Sequence, residues 1–115
     1  MEVYKLYWVG QAKIKPGKSA EATKWWKEKA EPNILSDPWT KSLRCYAVQF
    51  GLGGEYTIEI WQELESYAAF DEIDKFWEEG SDATKERIEI RKEGTEYIEW
   101  GPSRLMGDWP ESSFS

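Results

Sequence analysis

Near the start of the chain the apolar side chains alternate. Leu6, Trp8, Ala12 and Ile14 fall on one side of an extended backbone, broken only by Gly10, and residues 3–15 are rich in Tyr, Trp, Val and Ile. Period two with such residues predicts a strand. Pro16 and Gly17 then make a turn. Ser19 is placed to cap a helix in which Ala22, Trp25, Trp26 and Ala30 recur at helical spacing. Pro32 is expected to end or kink that helix, because it lacks an N–H and crowds the preceding turn.

Residues 41–50 and 55–64 are two further strand patterns, separated by the stretch GLGG. A Gly-rich loop can cradle phosphate only where a helix opens directly after it, so that free N–H groups and the positive helix end face the anion. Here "EYTIEIWQEL" keeps period two, which predicts a four-residue hairpin loop that binds no phosphate. Ser66 is read as the cap of a second helix, with Ala69, Phe70, Ile73, Phe76 and Trp77 on one face and a stop near Gly80. Residues 81–93 read preferentially as helix with Gly94 as its stop, although "RIEIRK" also alternates and leaves a strand open. "EYIEW" begins a fourth strand, and the chain from about residue 102 to 115 is expected to be an irregular tail, ordered at least through Trp109. The order β-α-β-β-α-(α)-β is that of an α+β, ferredoxin-like domain, with one four-stranded antiparallel sheet and helices on one face. Its 115 residues fit one domain, 1–115.

Charge and composition narrow the chemistry. With 22 acidic against 15 basic residues the net charge is −7, spread along the chain, which opposes nucleic acid and anionic lipid as partners. No apolar run approaches the roughly 20 residues of a membrane span, and the charged opening does not suit a signal peptide, so a cytoplasmic location is expected. Cys45 is single and lies in a strand pattern, where a small buried hydrophobe is the expected role. The chain has no His, which removes Ser-His and Cys-His nucleophile pairs, imidazole metal sites and His-ligated haem. No cofactor and no metal are expected.

Pairing the hairpin across GLGG opposes Phe50 with Glu55, Val48 with Thr57, Tyr46 with Glu59 and Arg44 with Trp61. Leu43, Cys45, Ala47, Tyr56, Ile58 and Ile60 then share an apolar face suited to pack under helices. Arg44, Tyr46, Val48, Phe50, Glu59, Trp61 and Glu63 share the other, joined by Tyr7, Val9 and Gln11 of the first strand. That second face is more aromatic than a solvent-facing sheet requires. A second copy of the chain, sheet against sheet, is the expected cover.

In "YKLYWVGQAKIKPGKSAEATKWWKE", "GEYTIEIWQE" and "EWGPSRLMGDWP" the chain resembles the dimeric α+β barrel proteins, in which two ferredoxin-like subunits press their sheets together. The resemblance implies a homodimer and a range of activities: cofactor-free monooxygenases, haem-degrading oxygenases, lactone isomerases and stress-induced proteins. The missing His departs from the haem-binding members. Asn33, the only Asn, follows the first helix rather than lying on an early strand as in the antibiotic-biosynthesis monooxygenases.

Two functions are expected from these residues. One is a cofactor-free enzyme of monooxygenase or isomerase type acting on a small planar or aromatic compound. Trp61, Tyr46 and Tyr7 supply walls, Gln11 lies beside them, Arg44 holds an anionic oxygen, and Glu59 or Glu63 moves a proton with a pKa raised by exclusion of water. The other is a non-catalytic dimer that binds a small hydrophobic ligand or a partner protein. In it Arg44 simply pairs with Glu59 or Glu63 across the strands.

Overall fold

A computed structural model of the chain describes residues 5–48 and 57–108. Four antiparallel strands, β1 (Leu6–Ile14), β2 (Thr40–Ala47), β3 (Thr57–Leu64) and β4 (Ile98–Gly107), form one sheet in the order β2-β3-β1-β4. The expected hairpin register is present, with Arg44 opposite Trp61 and Tyr46 opposite Glu59, and the Val48 N–H continues it by donating to the Thr57 oxygen at 2.9 Å. The GLGG loop, its Phe50–Glu55 pair, Tyr56 and Trp109 lie outside the described residues.

The fourth strand is longer than its sequence suggests. Ala12 pairs with Trp100 and Gly10 with Ser103, so Gly101 and Pro102 together face Gln11 as a bulge, after which pairing resumes to Gly107. An edge strand tolerates a proline because one row of its backbone groups needs no partner. The tail expected to be irregular from about residue 102 is therefore strand as far as Gly107.

Helices α1 (Ser19–Trp25) and α2 (Glu31–Leu35) are one continuous helical run, joined by a π-helical turn over Trp26–Ala30. Pro32 does not end this run. The widened turn directly before it relieves the crowding between the proline ring and the carbonyl four residues back. The cap position of α1 is Lys18 rather than Ser19, and no side chain caps it.

Helix α3 (Ala69–Glu79) is preceded by Ala68, not capped by Ser66, whose Oγ instead accepts the Ala68 N–H at 3.2 Å within the entering turn. It stops at Gly80, whose φ of 59° is left-handed and suits glycine. Helix α4 (Asp82–Gly94) takes the place of the strand that alternation left open. Ser81 caps it by accepting the Thr84 N–H at 3.2 Å, and Arg91 and Lys92 in its last turn complement the negative helix end.

All four helices cover one sheet face and bury two clusters. Leu6, Trp39, Leu64, Ala69 and Ile73 form one under α3. Ala12, Ala22, Trp25, Ala30 and Ile98 form the other under α1 and the π turn. Coverage thins toward β2. Leu43 is half-buried there, while Ala47 and Cys45 are exposed, so the buried role expected of Cys45 gives way to a position on an edge strand. Nearby protein still desolvates its thiol enough to push the pKa up to about 11, with Glu31 adding to the effect. No described helix is long and apolar enough to cross a membrane.

Candidate functional site

Between the two clusters the sheet and helices do not meet. Gly10 stands at the middle of β1 on the helix side, and a Cβ built there would find no heavy atom within 4 Å. The space above it is a cavity of about 230 Å³. Its walls carry six of the eight tryptophans: Trp8 from β1, Trp25 and Trp26 from the first helical run, Trp39 before β2, Trp77 from α3 and Trp100 from β4. Gln62 and Ser103 add polar groups from the sheet. Among the described residues no Asp, Glu or Tyr lines it.

Two arginines of α4, one turn apart, reach the cavity and differ in what holds them. The Arg87 Nη2 donates to both carboxylate oxygens of Asp37 at 2.9 and 2.8 Å, its Nε bonds the Asn33 side chain, and the guanidinium stands 5.1 Å over the Phe76 ring. Asp37 is buried, and that burial pushes its carboxyl above the ordinary value while Arg87 pulls the other way. Arg91 sits at the rim, 5.8 Å from the Trp77 ring centroid and 5.3 Å from that of Trp100. Among the described residues it has no ion pair.

The residues expected from the sequence lie on the opposite, open face of the sheet, not in this cavity. They do gather there. Trp61 meets Tyr7 and Tyr46 edge to face, with centroids 5.3 and 5.9 Å apart, and Arg44 stands 5.6 Å over the Tyr46 ring. Val9 is fully buried between Trp61 on one neighbouring strand and Arg104 on the other. Glu63 accepts from Ser42 at 2.8 Å and lies 4.0 Å from Lys41.

The ionic partner of Glu59 is Arg104 at 3.2 Å, not Arg44. With the order β2-β3-β1-β4, an arginine two strands away reaches over Val9 to the carboxylate, while Arg44 sits one pair further along β2 and turns to Tyr46. Arg104 depresses the Glu59 pKa, partial burial opposes it, and hydrogen bonds from Trp61 and Gln11 add to the depression. The raised value expected for a proton carrier is thus reversed. Among the described residues no three acidic or thiol groups gather to hold a metal ion.

Known structures share this layout. A NIPSNAP family protein of unknown function from Agrobacterium tumefaciens aligns with a TM-score of 0.68 over 96% of this chain and 94% of its own, at 14% identity. A NIPSNAP domain protein from Burkholderia xenovorans gives 0.66 over 96% and 97%, at 15% identity. The chain has the ferredoxin-like α+β fold. The same fold extends to a "Putative antibiotic biosynthesis monooxygenase" from Bordetella bronchiseptica, with a TM-score of 0.60 over 93% and 97% at 11% identity. No protein-family model matches the chain, and no curated protein matches it in sequence. What these structures have in common with it is the ferredoxin-like frame.

Proposed function

We propose that this chain binds a small planar compound, aromatic or otherwise largely apolar, in the cavity between sheet and helices, and that it works as a homodimer joined through the open sheet faces. The observation that carries the binding reading is the convergence of six indoles on a space that Gly10 leaves open. Flat, polarisable walls suit flat ligands. Pockets for drug-sized ligands run to roughly 300–1,000 Å³, so about 230 Å³ suits a compound of one or two rings. The dimer is supported by the exposed Tyr46 and Met106 beside Tyr7 and Trp61, an apolar sheet face that a second copy would cover.

Titrating tryptophan fluorescence with 2-naphthol, a neutral two-ring probe, tests the binding site. Saturable quenching is expected, at least tenfold weaker in Gly10→Val, whose side chain would enter the cavity. Equal quenching in both proteins would reject the cavity as the binding place.

A second reading is cofactor-free catalysis of monooxygenase or isomerase type, with Glu59, Arg44 and Tyr46 as the reacting groups and Trp61, Glu63, Tyr7 and Gln11 around the substrate. The observation in its favour is the cluster of hydrogen bonds on Glu59, one of them from the Trp61 indole N–H. A carboxylate held ionised by an arginine is, however, a weak base, which places binding ahead of turnover.

A further inference from the structure

We infer that the compound taken up by this cavity is a planar aromatic carboxylate, and that Arg91 is the residue that selects for its charge. This rests on the binding reading above. The chain carries a net charge of −7, yet among the described residues the lining of the cavity holds two arginines and no carboxylate. Arg87 is neutralised by its pair with Asp37, which among the described residues leaves Arg91 as the cavity cation without an ion pair.

Beyond the helix end that it faces, no described side chain of its own helix pairs with it. The positions three and four residues away on α4, where a side chain could reach it, hold Arg87, Ile88, Gly94 and Thr95. Acidic residues do occur on α4, at Asp82, Glu86, Glu89 and Glu93, but none is three or four residues from Arg91, and Glu93 pairs with Lys29 at 2.5 Å. Two tryptophan rings hold the Arg91 guanidinium. Ring contacts of this kind fix a guanidinium while leaving its N–H donors free. Those donors form a planar fork that matches the two oxygens of a carboxylate. A ligand whose ring lay between the indoles would therefore place an attached carboxylate at the rim, within reach of the fork and close to solvent.

A purely structural Arg91, one that covers the Trp77 and Trp100 rings with its stem, would have no preference for charged ligands. Two probes with the same rings separate these roles: 2-naphthoate and the neutral 2-acetylnaphthalene, titrated by tryptophan fluorescence into the wild type, Arg91→Met and Gly10→Val. The wild type should bind naphthoate at least tenfold more tightly than the ketone. Arg91→Met should lose that preference while changing the affinity for the ketone less than twofold, and Gly10→Val should weaken both. Equal affinities in the wild type, or a preference that survives Arg91→Met, would overturn the assignment of Arg91 and leave the cavity as a binding site. Absence of saturable quenching by either probe would reject the cavity reading itself, and the carboxylate with it.

Discussion

Gly94 closes α4 directly against the indole of Trp25, so that a Cβ at this position would overlap the six-membered ring. One turn earlier, the Ile90 oxygen accepts the Trp25 Nε1–H at 2.9 Å. The two contacts lock α4 to the first helical run, on the wall of the cavity. In an exposed helix, glycine to alanine would stabilise by about 1 kcal/mol. Here the overlap with a rigid, buried ring outweighs that gain, and Gly94→Ala is expected to destabilise by about 1 to 3 kcal/mol. Urea unfolding supplies the number, and a stabilised variant would show that the indole gives way freely.

At Gly10 the sign is opposite. A side chain there meets open space rather than a neighbour, the backbone is not left-handed, and the position is the middle of a central strand. Replacing glycine with a β-branched residue in such a setting stabilises by roughly 1 kcal/mol. Gly10→Val should therefore unfold at higher urea with an unchanged m-value, while losing the probe binding described above. Stability and binding moving in opposite directions is what a functional cavity predicts.

That glycine also marks where the sequence could have disclosed the site. The hairpin register, the division of the sheet faces and the apolar faces of two helices follow from local periodicity, and the described residues keep them. The cavity does not follow, because each of Trp8, Trp25, Trp26, Trp77 and Trp100 satisfies its own element's apolar pattern and reads as core, while Trp39 lies in a link between elements. Only tertiary packing shows that they converge. The one local trace is the gap in the alternation at Gly10. Trp61, Tyr46 and Tyr7 are more conspicuous in the sequence, on a face expected to be polar. Arg104 was missed for a different reason: its partner lies two strands away, and the pairing depends on strand order and on the bulge at Pro102.

Acid should weaken the Glu59–Arg104 pair. The folded protein holds Glu59 below its ordinary 4.5, so this contribution is complete above that value and is lost as pH falls through the depressed one. Between about pH 6 and about pH 3 the urea midpoint of Glu59→Gln should consequently fall less steeply than that of the wild type. Parallel curves would mean that the pair carries no pH-dependent stability.

Open-face contacts should decide the assembly. Tyr46 is 46% exposed in the single chain although it meets Trp61 edge to face. Light scattering of the wild type at micromolar concentration should give the mass of two chains. Tyr46→Lys sets a charge in the middle of the proposed interface and should give the mass of one. A wild-type monomer would remove the dimer from the proposal.

Arg87 and Asp37 make the opposite pH prediction to Glu59, for a reason visible in their burial. Their side chains are 12% and 7% exposed, so each charge depends on the other rather than on water. Arg87→Met takes away the guanidinium that opposes the effect of burial on Asp37, and the carboxyl must move further above its ordinary value. At neutral pH the variant then folds with an unpaired buried charge, at a cost of about 3 kcal/mol. A raised folded value favours the protonated folded state, so the lost stability should return as pH falls through that value toward the ordinary one. Asp37→Asn in the Arg87→Met background keeps the shape and removes the charge, and should recover most of the loss at neutral pH. Urea midpoints of the two single variants and the double variant, measured at neutral pH and at about pH 4, complete the cycle. Arg87→Met that stays equally destabilised at both pH values, with no rescue by Asp37→Asn, would show that packing of Arg87 on Phe76 matters more than its charge.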